Sequence, residues 1–75
     1  MHPLADLQPD TPARLHSLDG DRSFQRRLME LGFLPGTAVR MIRRVPLGGL
    51  IELEVRCCRV TLRLSEARQV QVTTP

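Results

Sequence analysis

The chain has 75 residues, eleven basic and eight acidic side chains, a net charge of +3, 41% hydrophobic residues and almost no aromatics. A domain of that size buries roughly 60% of the surface its unfolded chain exposes, which leaves little room for a deep enzyme pocket. Every basic residue is arginine, and a phosphate-binding loop of the GxxxxGKS/T kind requires lysine, so nucleotide hydrolysis by that route is excluded.

No apolar run approaches the ~20 residues that span a bilayer. The opening MHPLADLQPD lacks the apolar core of a secretory signal, so a cytoplasmic location is expected. The positive charge invites a nucleic-acid reading. With no Tyr or Trp and two Phe, base stacking has little to work with, and no nucleic-acid partner is expected.

Residues 1–11 carry prolines and acids, with only Leu4 and Leu7 as anchors, and are expected to be loosely ordered, as are residues 73–75. Ala13 to Leu18 alternates as a first strand with Ala13 and Leu15 on one face. After the turn-forming LDGD, Ser23 suits a helix N-cap. Phe24, Leu28 and Leu31 then form one stripe at i, i+4 and i+7. This helix of about nine residues is too short to stand alone, since ~12–15 is marginal in water, so packing must hold it. Met29 lies off the stripe, either as a rim residue or as a contact for a partner.

Gly32 suits the left-handed position that ends a helix. Leu34-Pro35-Gly36-Thr37 fits a type II turn, with Pro at i+1 and Gly at i+2. Thr37 to Val45 reads as a strand with Val39, Met41 and Val45 on one face and Arg40, Ile42 and Arg44 on the other. VPLGG breaks it.

LIELEVR and RVTLRL mirror each other about Cys57-Cys58. Pairing them sets Val55 opposite Val60, Leu53 opposite Leu62, Ile51 opposite Leu64, and Glu52 opposite Arg63. A one-residue slip would ruin the apolar face and the charge pair together. SEAR forms a capped turn and VQV a last strand. The elements add up to a mainly β fold, a small barrel of about five strands with one short helix inserted after the first strand and plugging one end. One domain spans 1–75.

The ordered set RRLMELGFLPG, VPLGG and VTLRLSEARQVQV resembles the FeoA family of ferrous iron transport accessory proteins over about Leu4 to Val72. The resemblance implies an SH3-like barrel without catalytic residues. It also implies a partner, the cytoplasmic G-protein region of the membrane transporter FeoB, with this chain at the inner face of the membrane when bound. The matching positions are Leu28, Leu31, Gly32, Leu34, Pro35 and Gly36, then Pro46, Leu47 and Gly48, then Leu62, Arg63 and Ala67. Most read as core, caps and turns. Leu47, apolar at the tip of a Pro/Gly loop, is the candidate partner anchor, with Met29, Arg40 and Arg44 as further contacts. The family commonly has glycine where this chain has Cys57. A cysteine in a left-handed turn costs about 1–2 kcal/mol, so a wider four-residue turn through Arg56 to Arg59 is expected.

The two cysteines are adjacent, with Cα atoms about 3.8 Å apart, closer than the ~4.4 Å minimum of a disulfide, so free thiols are expected. Cys57, Cys58 and His16 are the candidate metal ligands. Two thiols are too few for a closed structural site and suit zinc better than ferrous iron; no cofactor is required. A homodimer through exposed strand edges is open. Two other functions remain in view. One is a metal-responsive module like those of iron-dependent repressors, although no helix-turn-helix precedes the barrel. The other is a small-barrel nucleic-acid binder.

Overall fold

A computed structural model describes residues 1–45 and 47–74. The elements in chain order are β1 (His2–Pro3), a 3-10 turn (Leu4–Asp6), β2 (Pro12–Leu18), α1 (Arg22–Glu30), β3 (Ala38–Val45), β4 (Leu50–Val55), β5 (Cys58–Arg63), α2 (Leu64–Ala67) and β6 (Val70–Thr73). The strands form one antiparallel sheet in the order β1-β6-β2-β3-β4-β5. The sheet curls around a single core and is not closed by hydrogen bonds, leaving β1 and β5 as its edges. There are six strands rather than about five.

The extra strand comes from the leading segment, which is ordered rather than loose. His2 and Pro3 pair with Val72 and Gln71, and Leu4, Ala5 and Leu7 are buried in the core. Spacing gave no cue because the 3-10 turn sets these residues inward without strand alternation or a full helical period. Thr73 likewise belongs to β6; Pro75 lies outside the described residues.

Helix α1 starts earlier than Ser23. Asp21 is the N-cap, its carboxylate accepting from the Phe24 N–H at 2.8 Å, because a cap side chain reaches the amide three residues on. Leu28 is fully buried, Phe24 is half-buried, and Leu31 is exposed. The inward stripe is therefore shorter than expected. Its missing end is supplied by Phe33, which is fully buried. Phe33 N–H donates to the Leu28 carbonyl and Gly32 N–H to that of Met29, both at 3.0 Å. These two bonds, with Gly32 at φ +106°, make a Schellman stop whose apolar residue after the glycine folds back onto the helix. Gly36 at φ +85° and the Thr37 N–H bond to the Leu34 carbonyl at 2.9 Å complete the type II turn.

The β4–β5 hairpin departs from its expected register by two residues. Val55 faces Cys58, Leu53 faces Val60, Ile51 faces Leu62, Glu54 faces Arg59 and Glu52 faces Thr61. A two-residue shift keeps every side chain on its face, so the apolar pattern could not distinguish the two registers. The turn is also the tight one, with Arg56 at φ +51° and Cys57 at φ +67°. A two-residue turn with both residues left-handed matches the twist of the flanking strands, and that fit outweighs about 1–2 kcal/mol of strain per residue.

A bulge in β3 between Met41 and Arg43 adds Ile42 to the strand. Arg40 and Arg43 then share the outer face, whereas Arg44 lies opposite Ile51. The expected Arg40/Ile42/Arg44 face is thereby split. Helix α2 is tied to α1 through the Arg27–Glu66 ion pair, with the Arg27 guanidinium 5.7 Å from the Phe24 ring centre.

Candidate functional site

The β3–β4 loop carries the most exposed large apolar side chain of the described residues, Leu47, at 90% exposure. Gly48 and Gly49 behind it have positive φ, so the chain turns back sharply, and the Gly49 carbonyl is pinned by the Leu64 N–H at 2.7 Å. A leucine held out from an anchored loop buries nothing at home. Pro46 lies outside the described residues.

A second apolar surface lies at the end of α1. Met29, Leu31 and Leu34 are each about two-fifths exposed. Met29 lines an open groove of about 230 Å³ with Leu15, His16, Gln25, Phe33 and Pro35. Of the residues expected to be structural, Leu28, Leu62 and Ala67 are in the core, whereas Leu31 and Leu34 face out.

The two remaining contact candidates are already engaged. Arg40 pairs with Glu54 at 3.0 Å and Asp10 at 3.4 Å. Arg44 donates to the carbonyls of Ala5 and Leu7, the latter at 3.0 Å, and so holds the leading segment against the sheet. Sequence patterning offers no signal for a bond across 37 residues.

The metal candidates do not converge. Cys57 and Cys58 are free, exposed thiols at the hairpin tip. His16 sits at a bulge in β2, where Leu15 pairs with Val72 and Ser17 with Gln71, and its Nδ1 lies 3.2 Å from the Ser17 hydroxyl. Asp19 and Asp21 are occupied, by Gln71 at 3.0 Å and by the helix cap. Among the described residues no three His, Cys, Asp or Glu side chains are grouped to hold a metal. The donor set present therefore does not amount to a built site in one chain.

Among the described residues Glu66 is the titratable group clearly displaced. The Arg63 N–H donates to its carboxylate at 2.9 Å, and that bond, opposed by partial burial and assisted by Arg27, holds its pKa below the ordinary glutamate value. This interaction caps α2 and is structural.

The architecture recurs in solved proteins. FeoA of Chlorobium tepidum is 31% identical, with a TM-score of 0.87 over 95% of this chain and 68% of that one. FeoA of Stenotrophomonas maltophilia, crystallised with zinc and described as an SH3 domain protein, is 38% identical, with a TM-score of 0.80 over 93% of this chain and 87% of that one. A manganese-dependent transcriptional repressor shares the fold at a TM-score of 0.89 and 16% identity, this chain covering 41% of its length. The fold is thus the SH3-like one. The FeoA domain model matches residues 2–74, and with the residues from the first strand to the last accounted for, the chain belongs to the FeoA family.

Proposed function

We propose that the protein is a non-enzymatic accessory factor of ferrous iron uptake that binds the cytoplasmic G-protein region of the FeoB transporter and modulates its assembly or activity. Family membership supports the iron-transport role, and the Stenotrophomonas maltophilia relative is itself described as a candidate ferrous iron transport activating factor. The single observation that carries a docking role is Leu47, held out on an anchored loop with 90% of its surface in solvent. Among the described residues no helix is long and apolar enough to cross a membrane. In this reading the chain acts at the inner membrane face when bound.

The test is ferrous iron uptake in cells lacking this chain. Restoring the wild-type protein restores uptake, and Leu47→Ser restores the protein level without the uptake. Equal uptake with and without the chain would overturn the accessory role. A zinc ion held by Cys57 and Cys58 with donors from elsewhere is a second reading, favoured only by the exposure of both thiols.

A further inference from the structure

The outer face of the sheet carries a charge ladder that stops one strand short. On β3, Arg40 and Arg43 present a positive column; on β4, Glu54 and Glu52 present a negative one; on β5, Arg59 and Arg63 present a positive one again. The columns are paired across the strands by Arg40–Glu54 at 3.0 Å, Arg43–Glu52 at 3.5 Å and Arg59–Glu52 at 3.5 Å. Among the described residues strand β5 has no neighbour on its far side, and of its two arginines only Arg59 is ion-paired, to Glu52, while Arg63 lies opposite Leu50.

The backbone of that edge is equally incomplete. A two-residue turn makes Val55 and Cys58 a hydrogen-bonded pair, and every second pair along the ladder repeats it. The Leu64 N–H to Gly49 carbonyl bond at 2.7 Å continues the same series. Arg59, Thr61 and Arg63 therefore direct their N–H and C=O groups away from β4. Glu66 takes the Arg63 N–H at 2.9 Å, which leaves the N–H groups of Arg59 and Thr61 on the open edge. The other sheet edge is the two-residue β1, half of it proline, a length and composition that discourage pairing. Beside β5, an open groove of about 440 Å³, lined by Leu31, Leu50 and Leu62 and by the polar Arg27, Thr61, Arg63 and Glu66, can take side chains from an added strand.

We propose that the β5 edge is a docking site for an extended acidic polypeptide segment, which adds to the sheet as a seventh strand. Its acidic side chains would stand beside Arg59 and Arg63 on the outer face, its apolar ones beside the Leu31/Leu62 groove, and its backbone would bond Arg59 and Thr61. A second copy of this chain is a poor occupant, because antiparallel pairing centred on Thr61 would set Arg59 against Arg63 of that copy. The edge lies apart from the Leu47 loop and does not depend on which protein supplies the segment.

The test uses two end-blocked hexapeptides, one alternating Glu and Val and the other Lys and Val, titrated into the isotope-labelled full chain at low salt. The Glu peptide binds, shifts the Arg59 and Thr61 amides and slows their hydrogen exchange; the Lys peptide binds at least about tenfold more weakly. Arg59→Glu with Arg63→Glu exchanges that preference. Thr61→Pro removes an edge N–H without breaking a bond to β4, so the fold survives and Glu-peptide binding falls by at least about tenfold. Equal affinity for the two peptides, shifts confined to other surfaces, undiminished binding by Thr61→Pro, or self-association through β5 would each overturn the proposal.

Discussion

Arg44 on β3 donates to the Leu7 carbonyl 3.0 Å away, and to that of Ala5, so one guanidinium fastens the leading segment across the sheet. Leu4, Ala5 and Leu7 are buried behind that clasp. Arg44→Ala is expected to destabilise the fold by about 1–2 kcal/mol, with protease sensitivity appearing first in residues 1–11. Arg44→Lys recovers only part of this, since one ammonium replaces a planar fork. Urea unfolding of the three proteins, followed by mapping of the first cleavage site, checks both statements.

Cys57 holds φ +67° in a turn where its side chain confers no packing. Cys57→Gly relieves the left-handed strain and is expected to stabilise the chain by roughly 1 kcal/mol, less the entropy that glycine adds to the unfolded state. Cys58→Ser, in regular strand, changes little. Thermal unfolding under reducing conditions compares them. A glycine variant less stable than wild type would indicate the wider turn.

Glu66 has its pKa lowered, first by the Arg63 N–H bond and then by Arg27, against partial burial. A depressed folded-state pKa contributes stability that is present above the unfolded value, about 4.3 for Glu, and is lost as pH falls through the folded value. Wild type is therefore more stable than Glu66→Gln at neutral pH, and the gap narrows as pH falls from about 5 through the unfolded and then the lower folded value. Parallel denaturant titrations from neutral to acid pH test this; a gap that narrows above about pH 5 would contradict it.

Leu47 is exposed and makes no core contribution. Leu47→Ser is expected to leave stability within about 0.5 kcal/mol of wild type. The same substitution at Leu28, which is fully buried, costs at least about 3 kcal/mol. Agreement of the two unfolding midpoints would show that Leu47 packs at home.

Much of this architecture could be read from residue patterns. Gly32, Pro35 and Gly36 announced the helix stop and turn, because the two glycines take a positive φ that few other residues accept and proline fixes φ for the position before the second. The apolar faces of β4 and β5 followed from alternation, but their register did not, since Val55 opposite Cys58 and Val55 opposite Val60 satisfy the same parity. The bulges at His16 and Ile42 were illegible for the same reason: an inserted residue resets the alternation without a compositional mark. Phe33 was legible in retrospect, as the apolar residue that follows the glycine of a Schellman stop. Among candidate contact residues, the Pro/Gly loop left Leu47 either held out as an anchor or folded back over the barrel end, and the structure holds it out. The engagement of Arg40 and Arg44 by distant partners depends on the tertiary fold.

The central claim is contact between this chain and the cytoplasmic region of its FeoB. The most direct measurement is a backbone NMR titration of the labelled chain with that isolated region, with and without a GTP analogue. The account predicts shifts gathered on Leu47, Gly48 and Gly49, abolished by Leu47→Ser. Unchanged spectra in both nucleotide states would contradict it.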